Sequence, residues 1–437
     1  MNEPGKHIIP AKTAKNEQIY LYFGALTLFV YLATPTGYLV DIASSFMLKN
    51  QLHADPETVA RFRFITAIPV FAAFVFGFIR DTWNPLGLRD RGYMLIFAPV
   101  TAAIFIWLAF SKLTLSGLYV GVILTMVSFR FVMAGYQALI SLVGQEKLMS
   151  GRLSTVWNVV QMLPVAAAAW TSGYVTEHLS PKQTFILLAV LCLVLGALGL
   201  WKSRAVFAGA YEDPHARGSS LRNDVVRLFK HRAIYPAVLI MFLWNFAPGI
   251  NTPLQFYLTN ELHASDAVFS NFLAIFSLAF IPTFLCFGFL CKKYPLSKHL
   301  WWGTLIAVPQ LIPLAFIHSG LAAEIMAVPM GLMGGVATAA YYDLAIRSCP
   351  PGLQGTLMMM VDGVYYLASR GGDVLGTKIY GASKQYGFLY CVIATTVVYA
   401  LILPVLLMIP KHLISTSDGE ENPEDMTDLL KEIAETS

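Results

Sequence analysis

Long apolar runs separated by short polar loops set the pattern of this 437-residue chain. Twelve runs approach or exceed the ~20 residues that a helix needs to cross a bilayer. They fall at 20–46, 59–79, 93–111, 118–143, 153–175, 184–202, 234–258, 267–290, 300–317, 321–345, 355–379 and 387–409. Hydrocarbon holds no water to satisfy the backbone, so such runs are expected to be helices. They are too long and continuous for barrel strands. The first run follows a polar segment, is too long for a signal core and has no small-residue cleavage site, so it reads as the first span. The pattern predicts an all-α membrane protein with twelve transmembrane helices.

The longest internal loop, 203–233, carries Pro214, Gly218, Ser219, Ser220 and a cluster of basic residues. It divides the chain into a six-helix bundle over 1–202 and a second over 234–410, with an acidic tail over 411–437 that reads as solvated. Two short internal matches relate the bundles. Gly77-Phe78-Ile79-Arg80-Asp81 matches Gly288-Phe289-Leu290-Cys291-Lys292, and Gly151-Arg152-Leu153 matches Gly355-Thr356-Leu357 at a similar offset. The expected arrangement is two pseudo-symmetric bundles related by an axis along the membrane normal, with a site near the midplane between them.

Composition agrees. Hydrophobic residues make up 56% of the chain and charged ones 13%, about half the charged share of a soluble domain. Mean hydropathy is +0.60. Lys and Arg gather in alternate loops (Arg80, Arg89, Arg91, Lys147, Arg152 and the 203–233 loop) and thin out in the others. The positive-inside rule then puts both termini in the cytoplasm and the chain in the inner membrane. No basic tract suits nucleic acid. The five cysteines have no metal-ligand spacing, so no metal or cofactor is expected.

The loop after the second run reads Gly77-Phe-Ile-Arg-Asp81-Thr-Trp-Asn-Pro85-Leu-Gly87-Leu-Arg89-Asp-Arg91-Gly92-Tyr93. It resembles the signature loop of the major facilitator superfamily, and the likeness at that level spans nearly the whole chain. Three stretches resemble the folate–biopterin transporter family: this loop, Asn245 to Leu262, and Cys349 to Met359. The loop also resembles the muropeptide permeases. The resemblance implies the major facilitator fold and a gating loop of Gly77, Asp81, Arg89 and Arg91. Asp81 there reaches the positive N-terminus of a partner helix while Arg89 and Arg91 add ion pairs. The plain alternative is topogenic charge. The second bundle departs from the signature, with Lys292 in the place of Asp81.

Ionisable groups inside the membrane cost roughly 2.5–3.5 kcal/mol each, so they face a cavity or a partner. Arg130 lies near the middle of its run with Gln137 on nearly the same face. Arg130 is either an anion-binding residue or half of an ion pair with an acid on a neighbour. Asp362, Arg370 and Asp373 share the run 355–379, where Arg370 and Asp373 can pair at i, i+3. These three and Asp41 are the candidates for coupling to a proton, against a structural charge set or an interfacial carboxylate. The run 234–258 contains Asn245, Pro248, Gly249, Asn251, Pro253 and Gln255. Its prolines and glycine should break the helix at a gate or site. Tyr341, Tyr342 and Tyr365 offer faces for a flat heteroaromatic solute, or anchor the membrane interface.

No phosphate-cradling Gly-Lys-Thr loop or hydrolase motif is present, so no enzyme chemistry is visible. The reading is a monomeric secondary transporter, coupled to protons, for an anionic pterin- or folate-like solute. Competing readings are a muropeptide or drug-like permease or exporter. Outside transport, they are a membrane receptor or a lipid-modifying enzyme.

Overall fold

The computed structural model describes residues 12–35, 44, 47, 48, 52, 53, 56–111, 114–207, 230–383 and 385–420. The described chain is helical. In order the long helices are α1 Lys12–Ala33, α2 Arg61–Thr82, α3 Asp90–Phe110, α4 Leu115–Glu146, α5 Ser150–His178 and α6 Pro181–Leu198. They continue with α7 Ile234–Asn245, α8 Asp266–Leu290, α9 Leu296–Phe316, α10 Gly320–Arg347, α11 Gln354–Gly381 and α12 Gly387–Leu406.

Among the described residues, eight helices are long and apolar enough to cross a membrane: α2, α3, α4, α6, α8, α9, α10 and α12. The other four predicted spans correspond to α1, α5, α7 and α11, and each falls short for a local reason. Much of the first span beyond Thr34 lies outside the described residues. Ser154, Asn158 and Gln161 dilute α5, and Asp362, Arg370 and Asp373 dilute α11. The seventh span is broken: α7 stops at Asn245, and short segments at Thr252–Phe256 and Tyr257–Glu261 follow. Large apolar side chains such as Phe289, Trp302, Phe316 and Leu407 are mostly exposed, as a lipid-facing surface requires.

Helix ends follow from local chemistry. Ser180 and Gln183 form a reciprocal capping box at the start of α6. Thr114 and Ser319 accept the Gly117 and Ala322 N–H groups at the starts of α4 and α10. Between α2 and α3 the chain turns through Leu86, Gly87 and Arg89, all at positive φ. Asn84 Oδ1 accepts the Arg89 N–H at 2.6 Å, and the Tyr93 hydroxyl donates to the Trp83 carbonyl at 2.7 Å.

The helices pack as an N-terminal group, α1–α6, and a C-terminal group, α7–α12. The seam between them is made chiefly by α2 against α11 and α5 against α8, with α4 on α11 and α5 on α10. Glycine permits both main crossings. A Cβ on Gly77 would collide with the Gly355 carbonyl. A Cβ on Gly151 would press on Cys291 and Asp343, and one on Gly288 would press on Thr155. These are the glycines that the two internal matches align.

The expectation of a solvated tail is modified at two positions. Ser417 and Asp418 are not solvated but buried against the helices, while Ser415, Gly419 and Glu420 around them are exposed. Most of the 203–233 loop and the tail beyond residue 420 lie outside the described residues.

Candidate functional site

Arg130 of α4 is fully buried, and its Nη1 donates to Asp362 Oδ2 of α11 at 2.6 Å. Gln137, two turns along α4, also hydrogen-bonds the Asp362 carboxylate. The Arg130 Nε and Nη2 groups have no partner. Those two atoms form one complete edge of the guanidinium fork, the edge that grips a carboxylate with two parallel bonds. Buried donors left unpaired are expensive.

A small cavity adjoins the pair, lined by Gln137, Trp157, Tyr342, Met358, Val361 and Asp362. Aromatic groups frame it. The Trp157 and Tyr342 rings lie 4.9 Å apart and the Tyr136 and Trp157 rings 5.7 Å apart. Trp157 Nε1 donates to the Tyr31 hydroxyl at 2.8 Å, and Tyr136 bonds Thr27 at 2.8 Å. The framed space thus combines a carboxylate, an amide and aromatic faces, with the Arg130 cation bonded to that carboxylate.

Below the cavity, on the face that carries Arg80, Arg89, Arg91, Arg152 and Arg347, the seam is closed. Asp81, at the end of α2, caps the start of α11. It accepts from the Gly355 N–H at 3.0 Å, the Thr356 N–H at 2.6 Å and the Thr356 hydroxyl at 2.6 Å. A carboxylate on orphan N–H groups at a helix N-terminus is favoured by both the hydrogen bonds and the helix dipole. Arg80 steadies Asp81 at 2.7 Å and grips Asp90 through Nε and Nη2. Gln145 donates to the carbonyls of Ile346 and Cys349, and the Gln354 amide donates to Gln145. Ser154 donates to the Ala339 carbonyl at 2.7 Å.

A model of the Major Facilitator Superfamily matches residues 25–371. The chain belongs to the major facilitator superfamily. It is 24% identical over 413 residues to the Folate-biopterin transporter of Synechocystis sp., covering 89% of this chain and 82% of that protein. It is 21% identical over 388 residues to Folate transporter 2 of Plasmodium falciparum, covering 84% and 82%. The solved structure of the human organic anion transporter MFSD10 (TETRAN) shares the fold with a TM-score of 0.63 at 13% identity. That match covers 91% of this chain and all of that one. This major facilitator chain is therefore a multi-pass membrane transporter.

The fold sorts the predicted residues. Arg130, Gln137, Tyr342 and Asp362 converge on one place. Tyr341 does not join them: it is buried in the C-terminal group, bonded to Thr304 at 2.7 Å and packed on Trp244. Tyr365 packs on Tyr366. Asn245 donates to the Met241 carbonyl where α7 ends, and Asn251 precedes the segment that holds Gln255. Asp373 does not pair with Arg370. Its two oxygens accept the Thr252 N–H and hydroxyl at 2.9 Å each, which caps the segment after the break. In the signature loop, Arg80 and Asp90 form an ion pair. Arg91 donates to the Gly199 and Leu200 carbonyls past the end of α6. Asp41 lies outside the described residues.

Sequence reading missed Trp157, Tyr31, Met358 and Val361. Trp157 sits inside an apolar run, where tryptophan is ordinary. Only the face it shares with Ser154 and Gln161 on α5, three residues before it and four after, sets it apart.

Proposed function

We propose that this transporter carries a flat, anionic organic solute of the folate or biopterin kind by alternating access, driven by protons. The observation that carries the reading is the buried Arg130–Asp362 pair, whose guanidinium keeps two unpaired donors and whose carboxylate lines an aromatic-framed cavity. The names of the two similar proteins supply the solute class.

A solute carboxylate would take the Nε–Nη2 edge of Arg130. The solute ring would part Trp157 from Tyr342 and lie between them, because offset stacking rewards flat aromatic surface. Proton and solute would meet at Asp362. Protonation removes the negative charge that Arg130 holds, which loosens the tie between α4 and α11 and frees the cation for the anionic solute. Asp362 is thereby the coupling carboxylate, and Asp373 keeps a capping role.

The N-terminal and C-terminal groups act as the two moving bodies, with 203–233 as their linker. The arginine-rich face is cytoplasmic by the positive-inside rule, with both termini there and the chain in the inner membrane. The closed seam on that face makes this an outward-facing state. The protein works as a monomer, since one chain contains both bodies.

Purified protein in liposomes tests the reading. Radiolabelled folate or biopterin should accumulate when the outside is acidified, and Asp362→Asn should abolish the acid-driven component. Uptake that follows a sodium gradient and ignores pH would overturn the coupling. Failure of both solutes to bind or accumulate would overturn the substrate class.

A further inference from the structure

The second half of the chain lacks the acid that the first half uses to close its side of the seam. Asp81 ends α2 and caps the start of α11. In the internal match Gly288 stands for Gly77, Lys292 for Asp81, and Gly151 for Gly355. The start of α5 should then have no carboxylate.

It has one, delivered from the tail. Asp418 Oδ1 accepts the Gly151 N–H at 3.0 Å, and Oδ2 accepts Arg152 Nε at 2.5 Å. The Asp418 N–H donates to the carbonyl of Cys291 at 2.8 Å. Cys291 immediately precedes Lys292, so the tail places its carboxylate beside the position that the signature leaves empty. The Asp418 side chain is wholly buried.

The tail is held there from several sides. The Thr416 carbonyl accepts from the Leu296 N–H at 3.3 Å and from Arg347 Nη1 at 3.1 Å. Arg347 also donates to the Leu413 carbonyl, to Asp343 and to Ser150. Gly419, at φ +98°, turns the chain away directly after Asp418. One short segment thus ties α5 of the N-terminal group to α8, α9 and α10 of the C-terminal group.

These ties exist only while α5 and α8 are together. Separating them would strip the Asp418 carboxylate of its α5 partners or pull the tail from the Cys291 carbonyl. A buried carboxylate without partners is costly. A contact made in one state and lost in the other biases the equilibrium between them. We infer that residues 415–420 are a latch that holds the α5–α8 side of the arginine-rich face closed, with Asp418 replacing the acid absent at Lys292. Anything that draws the tail away would open that side. The inference concerns the gate and is independent of which solute is carried.

Native Cys291 is a built-in reporter, because it is buried beside Gly151 and under Asp418. The other four cysteines are replaced by serine, and maleimide labelling of Cys291 is followed in detergent and in liposomes without solute. Asp418→Asn should label about tenfold faster, within the usual range for coupling between two states. A chain ended after Ser417 should do the same. Adding Lys292→Asp to Asp418→Asn should restore slow labelling by returning the acid to α8. Unchanged labelling in both the point variant and the shortened chain would overturn the latch. So would faster labelling that comes with a lowered melting temperature and is not reversed by Lys292→Asp, since the tail would then be a folding element.

Discussion

Arg130 and Asp362, on α4 and α11, meet at 2.6 Å across the seam between the two groups of helices. Arg130 has no exposure, while the Asp362 side chain keeps 14% and lines the cavity. The pair therefore has a dry side and an accessible side. Removing one member strands a buried charge, at a cost of about 3–5 kcal/mol. Arg130→Ala and Asp362→Asn should each lower the melting temperature, and the double variant should regain much of the loss. All three should fail in acid-driven uptake. Scanning calorimetry on the four proteins checks the first part. Full uptake in the double variant would remove the pair from the transport cycle.

The unpaired edge of Arg130 makes a sharper prediction. Arg130→Lys retains charge but cannot present two parallel donors. Loss of one charge-assisted bond of roughly 1.5–3 kcal/mol weakens binding about ten- to a hundred-fold. The loss should be greater for carboxylate-bearing analogues than for neutral ones. Equal losses for both classes, measured by titration calorimetry, would mean that the edge does not receive the solute.

The two carboxylates of α11 should separate cleanly. Asp373 caps Thr252 through backbone and hydroxyl, so Asp373→Asn should cost about 1 kcal/mol of stability and leave the pH dependence of uptake intact. Asp362→Asn should flatten that dependence. Uptake measured against external pH for both variants decides between them.

Asp81→Asn removes the charge from a cap that receives three donors. Native Cys349, buried on the same side of the seam with its carbonyl held by Gln145, should then become more reactive to maleimide. Labelling of Cys349 in a background without other cysteines should rise several-fold. No rise would show that the α2–α11 side stays shut without the charge.

Trp157 offers both a ring and a donor. Trp157→Phe keeps an aromatic face and loses the bond to Tyr31, so affinity should fall modestly; Trp157→Ala should fall further by the ring's stacking share, about 0.5–1.5 kcal/mol. Intrinsic fluorescence of the wild type should quench on solute binding. Equal affinities across the three proteins would place the solute elsewhere.

Class and general plan are legible in the residue pattern alone. Apolar runs of spanning length leave the backbone no choice but helix, so the positions of most spans could be read directly. Gly77 and Gly151 could be matched to their counterparts by sequence, and both lie where a close helix crossing leaves little room for a Cβ. Arg130 and Asp362 stood out because a charge in hydrocarbon demands a partner.

The partner that each charge takes depends on how the helices pack. Asp373 has Arg370 one turn away in its own helix, yet Thr252 meets it from the broken seventh span. Arg80, one residue before Asp81, reads in sequence only as loop charge, because nothing local brings Asp90 back to it; the turn through Gly87 does. Asp418 sits in a tail whose composition reads as solvated, and nothing in that composition encodes its burial. Helix formation depends on residues a few positions apart, which a sequence displays. The pairing of Asp418 with Gly151 spans most of the chain, and it exists only once the two groups of helices have closed on each other.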